Sequence, residues 1–219
     1  MGAISEVYNM DCLAYMDMFE DNHFDLIIAD PPYNIGISDN PVRQKHTCKK
    51  WDCRGVDNKW FDEMFRVAKH CIIWGGNYFD LPPSKNFIIW DKKQPQDLTL
   101  AMCEFAWTDF DFPAKMFRQS VQIEKNKIHP TQKPVALYGW ILDLYIPYLN
   151  KDKSKIKIYD PFLGSGSSRI ACYKKGINFY ATEIDTDYYN AQNERFLREC
   201  KGEYKLKNGN IAKQLNLFE

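Results

Sequence analysis

The sequence carries no net charge, since 29 basic residues balance 29 acidic ones, and so its global electrostatics do not advertise a polyanionic partner. It has no apolar run approaching the length of a membrane span, and its first residues, MGAISEVYNMDC, lack the basic and apolar regions of a secretory leader. Gly2 is not followed by Ser or Thr at position 6, where myristoylation uses one; Glu6 stands there. A cytoplasmic protein is therefore expected. No internal repeat or low-complexity tract is present, and 45% hydrophobic with 26% charged residues excludes an intrinsically disordered chain. The seven cysteines are odd in number and several sit in apolar runs (Cys71, Cys103, Cys172), a pattern of reduced, buried thiols that excludes a disulfide framework. The group His46, Cys48 and Cys53 in KHTCKKWDC lacks the fourth ligand and tight cysteine pairing of a zinc site, so no metal is expected.

What the chain does have is a set of short runs rich in strand-forming residues. FDLIIAD (24–30), CIIWGG (71–76), NFIIWD (86–91), KIKIYD (155–160) and NFYATEID (178–185) are β-branched or aromatic, and several end in Asp or Gly. Between and after them lie helical patterns at 60–70, 133–149, 167–176 and 186–200. This alternation predicts an α/β fold, Rossmann-like and doubly wound on a mostly parallel sheet, with ligands bound beyond the carboxyl ends of the strands. Asp30 and Asp160 sit at such ends. At 219 residues one domain is expected. The stretches 34–59 and 92–132 break the alternation and are polar, so they read as loops that touch the substrate or stand in solvent. The first holds Arg43, Lys45, Lys49, Lys50 and Arg54, interleaved with Trp51, and is either a solvated loop or a phosphate-contacting surface.

Two short motifs carry chemistry. In IYDPFLGSGSS (158–168) a strand enters a glycine turn and then a helix. Gly164 and Gly166 allow close approach of a ligand, and Ser167 or Ser168 is placed to cap the helix. Glu183 closes the next strand, where an acid accepts both hydroxyls of a ribose. The third glycine of a dinucleotide fingerprint and a Walker lysine are both missing, which points to a nucleoside without phosphates. The second motif, ADPPYNIG (29–36), ends a strand with two prolines, so that Asp30, Pro31, Pro32 and Tyr33 form a rigid presentation of a carboxylate, carbonyls and one aromatic ring.

DPFLGSG together with DPPY resembles the signature pair of the S-adenosylmethionine-dependent amino-methyltransferases of DNA. IHPTQKPVALYGWIL (128–142) and YNMDCLAYM (8–16) match two further segments of that family, and DPPY preceding the glycine loop is its β-group order. The resemblance implies the class I methyltransferase fold and S-adenosyl-L-methionine as cofactor, with double-stranded DNA as partner, as in restriction–modification. It implies that Asp160, Phe162, Gly164 and Gly166 wrap the methionine and ribose parts, and that Glu183, next to Ile184, takes the ribose hydroxyls. It implies that Asp11 meets the adenine amine and that Lys133, in the His129–Pro134 segment, is a charge partner of the methionine carboxylate. Asp30 then serves both cofactor and target. Its carboxylate and the Pro31 carbonyl accept the two N–H groups of a base amine, freeing the nitrogen lone pair for the methyl, while Tyr33 stacks on the base. A base paired in duplex must be flipped out first. Relatives acting on cytosine N4 more often carry Ser at the first motif position, so Asp30 favours adenine N6; the alternatives are N4-cytosine methylation and a non-catalytic DNA-binding subunit. The family's variable recognition region is expected at about 92–128, with a catalytic and DNA-contacting loop at about 34–59.

The end of the chain, KQLNLFE (213–219), places Gln214, Leu215, Leu217 and Phe218 in a pattern similar to the Gln-Leu-x-Leu-Phe peptide that docks bacterial DNA enzymes on the replication sliding clamp. The other reading is that Leu215, Leu217 and Phe218 alternate as a final strand or pack back on the core. Two protein partners thus stand open: the clamp and a second copy of the chain as a homodimer.

Overall fold

The computed structural model describes residues 3–33, 58–97, 100–123, 127–205 and 211–213. Arg43, Lys45, Lys49, Lys50 and Arg54, the His46, Cys48 and Cys53 group, and the tail residues Gln214, Leu215, Leu217 and Phe218 lie outside the described residues.

The apolar runs form strands because each alternates its side chains between two covered faces. The strands are β1 (Ser5–Tyr8), β2 (Leu26–Ala29), β3 (Cys71–Trp74), β4 (Phe87–Asp91), β5 (Cys103–Thr108), β6 (Lys115–Arg118), β7 (Lys157–Asp160) and β8 (Asn178–Thr182). They make one sheet in the order β1-β8-β7-β2-β3-β5-β4-β6. Neighbours run parallel except at β5, which is antiparallel to both β3 and β4. A small hairpin pairs β9 (Glu203–Lys205) with β10 (Ile211–Lys213).

In β2 all four residues are buried. Leu26 and Ile28 pack with Ile72, Trp74, Leu137, Ile141 and Cys172 on one face. Ile27 and Ala29 pack with Cys71, Ile73, Met16, Met64 and Val67 on the other. The first face is covered by α3 (Val135–Tyr145) and α4 (Ser167–Lys174), the second by α1 (Cys12–Met16) and α2 (Lys59–Val67). α5 (Thr186–Phe196) follows β8. Each fully buried aliphatic or aromatic side chain contributes about 1.5–3 kcal/mol, so these two layers hold the sheet that positions the site. No helix among the described residues is long and apolar enough to cross a membrane.

Two expectations are corrected here. The stretch 92–132 is not simply a polar loop, for it supplies β5 and β6, and β5 lies inside the sheet between β3 and β4. Ala106, Trp107 and Thr108 are buried there, and an antiparallel strand inserted this way breaks the helix–strand alternation that exposes a parallel strand to sequence reading. Cys103, at the start of β5, is exposed, whereas Cys12, Cys71 and Cys172 are buried.

The chain leaves β7 through α4 to β8 on one side, and β2 through α2 to β3 on the other. β2 and β7 are adjacent, with Leu26 opposite Ile158 and Ile27 opposite Tyr159. They form the switch point of the sheet, where such folds bind their ligands. The ADPPY and DPFLGSG segments therefore emerge side by side although they are far apart in the chain.

Candidate active site

A cavity of about 680 Å³ opens at this switch point, walled by Asp11, Asp30, Phe162, Gly164, Glu183 and Lys133 among others. Pro31, Pro32, Tyr33 and Ile184 also line it, so most residues singled out in the sequence converge on one space.

Glu183 organises one end. Its Oε2 accepts the Gly164 N–H at 2.7 Å and its Oε1 the Asp185 N–H at 2.8 Å. Its carbonyl accepts from the Asn9 amide at 2.7 Å, which ties the ends of β8 and β1 together. Asp11 lines the same end, and its Oδ1 caps α1 by accepting from Leu13 N and Ala14 N. Phe162 supplies an aromatic wall and meets Trp60 edge-on, centroids 5.1 Å apart. The His129 ring packs on Tyr188 at 4.4 Å and lies over Gly164.

Asp160 and Gly166 lie behind the cavity wall formed by Phe162, Gly164 and Ser165. Asp160 is 2% exposed. It holds the turn, accepting from Phe162 N at Oδ1 and from the Ser168 hydroxyl at Oδ2. Burial pushes its carboxyl up to about 7, against the downward pull of those two hydrogen bonds. Gly166, at φ +75°, is itself the N-cap of α4, with no side-chain cap. Neither serine caps the helix as expected: Ser168 is committed to Asp160, and the Ser167 hydroxyl accepts from Arg195 Nη1 at 2.9 Å.

At the other end stands Asp30, with both oxygens engaged. The Tyr33 hydroxyl donates to Oδ1 at 2.6 Å, and the Lys133 ammonium lies 2.5 Å from Oδ2. Lys133 lines the cavity and is held there by two protein carboxylates. Pro134 is the extended N-cap of α3, and the lysine before it is buried at 3% exposure beneath the end of β2. A buried ammonium needs anions, and it finds Asp30 together with Glu104 Oε2 at 3.1 Å. Burial disfavours the charge on Lys133, but these two carboxylates outweigh it and raise its pKa above the ordinary lysine value. Burial likewise works against ionised Glu104, yet Lys133 and Lys92 hold its carboxyl below the usual range. Lys92 lies 2.6 Å from Glu104 Oε1.

Tyr33 is less open than a free stacking face. Tyr78 stacks on it at 5.2 Å and 26°, and Phe79 approaches edge-on. Pro31 is buried and Pro32 half-buried.

Sequence reading missed Glu104 and Lys92. The available signal was a single acid opening the apolar run CEFAWT. Because β5 is antiparallel, its start lies at the same edge of the sheet as the carboxyl ends of β2 and β3, and only topology says so.

Among the described residues the cavity wall carries five carboxylates (Asp11, Asp30, Glu104, Glu183 and Asp185) against the one ammonium of Lys133. That excess of negative charge, with an aromatic wall and a ribose-type acid at a strand end, fits a cationic nucleoside ligand.

A family model described as DNA methylase, the N6/N4 methyltransferases, matches residues 89–194. Type II methyltransferase M2.MboI of Moraxella bovis is 24% identical over 265 residues, spanning 96% of this chain and 94% of that protein. Among solved structures, the M1.HpyAVI–SAM complex superposes with a TM-score of 0.57 at 19% identity, covering 87% of this chain and 98% of that one. PvuII DNA methyltransferase (cytosine-N4-specific) superposes with a TM-score of 0.58 at 13% identity, covering 89% and 88%. At these identities the structural likenesses speak for the fold. Over residues 89–194 and in its motifs the chain is thus similar to the N6/N4 amino-methyltransferases of DNA, and it shares their fold.

Proposed function

We propose that this chain methylates the N6 amine of an adenine flipped out of double-stranded DNA, with S-adenosyl-L-methionine as cofactor. The observation that carries the reading is that Asp30 and the Glu183-anchored glycine loop open into the same cavity. When bound, the cofactor supplies an electrophilic methyl on a sulfonium. Glu183 accepts the ribose hydroxyls, Asp11 the adenine amine, and Phe162, Gly164 and Ile184 form the surrounding wall. Asp30 and the Pro31 carbonyl accept the N–H groups of the target amine, and the carboxylate stabilises the positive charge that grows on that nitrogen. The nitrogen lone pair would form the new bond to the methyl carbon as the carbon–sulfur bond breaks and its electron pair returns to sulfur, leaving S-adenosylhomocysteine, and one amine proton would then pass to Asp30 or to water. Holding the two reactants in line supplies much of the acceleration. Tyr33 positions Asp30 through its hydroxyl and offers the ring face not covered by Tyr78 to the base.

A second reading, methylation of cytosine N4, is favoured by the fold shared with PvuII DNA methyltransferase. The same carboxylate suits either amine. Arg43, Lys45, Lys49, Lys50 and Arg54 are assigned to the DNA backbone in both readings. Docking on a sliding clamp through Gln214, Leu215, Leu217 and Phe218 rests on the tail sequence alone, and clamp binding lost on ending the chain at Lys213 is its test. The deciding experiment for the chemistry incubates duplex DNA with the protein and cofactor and identifies the modified base by methylation-aware sequencing. N6-methyladenine supports the first reading and N4-methylcytosine the second; cofactor binding without either product overturns both.

A further inference from the structure

Three oxygens surround the three N–H bonds of Lys133: Asp30 Oδ2 at 2.5 Å, Glu104 Oε2 at 3.1 Å and the Tyr33 hydroxyl at 3.3 Å. Trp74 closes the space, its ring 5.1 Å from the ammonium. Charges therefore alternate along a partly buried line from Asp30 through Lys133 and Glu104 to Lys92.

The two anions of Lys133 are unequal. Toward Asp30 the contact is short. Toward Glu104 it is longer, at 3.1 Å, and the buried Oε2 has no other partner to satisfy it. A weakly satisfied acceptor is costly in a protein interior, so a closer approach of the ammonium to Oε2 is favourable. Lys92 takes Oε1, fixing the carboxylate with Oε2 toward Lys133.

A lysine tight on Asp30 conflicts with the work assigned to that acid. A carboxylate neutralised by an adjacent ammonium stabilises growing charge on a target amine poorly, because the two cations compete for it. Removing the lysine from Asp30 without another anion would strand a buried charge.

We propose that Glu104 is a positioning residue for Asp30: when the target amine docks, Lys133 is handed from Asp30 Oδ2 to Glu104 Oε2, which leaves Asp30 for the amine. Only a small displacement is needed, because both oxygens already touch the ammonium, and its charge keeps a partner throughout. This inference rests on the amine-methylating role proposed above.

The test uses the full chain. Glu104→Gln keeps the shape but removes the second anion, so Lys133 stays on Asp30. The expected result is a single-turnover methylation rate lowered roughly tenfold or more, the scale of one charge-assisted hydrogen bond, with the cofactor dissociation constant and the KM for DNA changed little. Glu104→Asp restores part of the rate. Adding Lys133→Met to Glu104→Gln raises the rate above that of the single variant, because the competing ammonium is gone. A wall residue with a merely structural role gives no such reversal. Unchanged turnover in Glu104→Gln, or a double variant no faster than the single one, overturns the proposal. A measurement independent of turnover is the ¹⁵N resonance of the Lys133 ammonium in the wild-type protein, followed as 2′-deoxyadenosine and then 2′-deoxycytidine are added to the protein with S-adenosylhomocysteine. The hand-off predicts a shift with the nucleoside that binds, absent in Asp30→Asn; a resonance that neither saturating nucleoside moves overturns it. A wild-type protein that methylates no DNA yet shows the shift defeats the methylation reading and leaves the hand-off standing.

Discussion

Gly75 and Tyr33 lie so close that a Cβ on the glycine would stand 2.2 Å from Tyr33 Cε1. Gly75 also adopts φ +69°, a conformation that disfavours any side chain. The residue after β3 thus sets where the DPPY tyrosine rests, and through the tyrosine hydroxyl where Asp30 points. Gly75→Ala should lower stability by about 1–3 kcal/mol and reduce methyl transfer by more than that loss explains. Denaturant titration and single-turnover assays on folded protein check both, and a variant with normal turnover would separate the glycine from the site.

If the Asp30 carboxylate acts on the target amine as proposed, Asp30→Ala should abolish methyl transfer while leaving cofactor binding largely intact. Calorimetric titration with S-adenosylmethionine and a methylation assay read the two quantities separately. Near-normal turnover sinks the assignment.

Glu183→Ala should weaken cofactor binding by about 1–3 kcal/mol, the scale of losing a buried charged acceptor. The same change releases the Gly164 and Asp185 N–H groups, so Glu183→Gln, which keeps one carbonyl acceptor, should fall between. Equal affinities across the three proteins would remove the ribose role.

Asp160 makes stability depend on pH. Its carboxyl stays protonated in the folded protein up to about pH 7, whereas the ordinary value is 3.8. Across that window the folded state holds a proton the unfolded chain has lost, so stability is greatest below the lower value and declines as pH rises through the upper one. The decline amounts to roughly 4 kcal/mol at most. Asp160→Asn has no such proton and should lack that component of the decline, as chemical denaturation at a series of pH values will show. Asp25 acts in the opposite sense and only in more acid solution. Burial works against its carboxylate, but Lys151, Lys69 and the Lys157 N–H hold its pKa down, and that stabilisation disappears as the acid is protonated.

Reversing the charges of Lys49 and Lys50 should weaken DNA association and flatten its dependence on salt, because each phosphate contact releases counterions. An unchanged slope of log affinity against log salt would return the 34–59 stretch to a solvated loop.

The amino-acid sequence by itself determined the local elements whose signal lies within a few residues. FDLIIAD and KIKIYD are apolar runs ended by Asp, and they became adjacent parallel strands because a chain buried on both faces needs no alternation to declare itself. DPPY, DPFLGSG and the acid of ATEID were legible for the same reason: proline, glycine and a strand-end carboxylate each impose a local geometry. Only the tertiary structure decided what those groups touch. β5 entered the sheet antiparallel, and that reversal carried Glu104 to the edge where Asp30 ends. Lys133 found Asp30 and Glu104, because a buried ammonium takes the nearest anions and nothing in HPTQKP names them. Asp160 and Gly166, so prominent in the motif, turned inward to hold the turn. Local conformation follows from neighbours in sequence, whereas the partner of a buried charge follows from neighbours in space, and these are set by how distant strands pair.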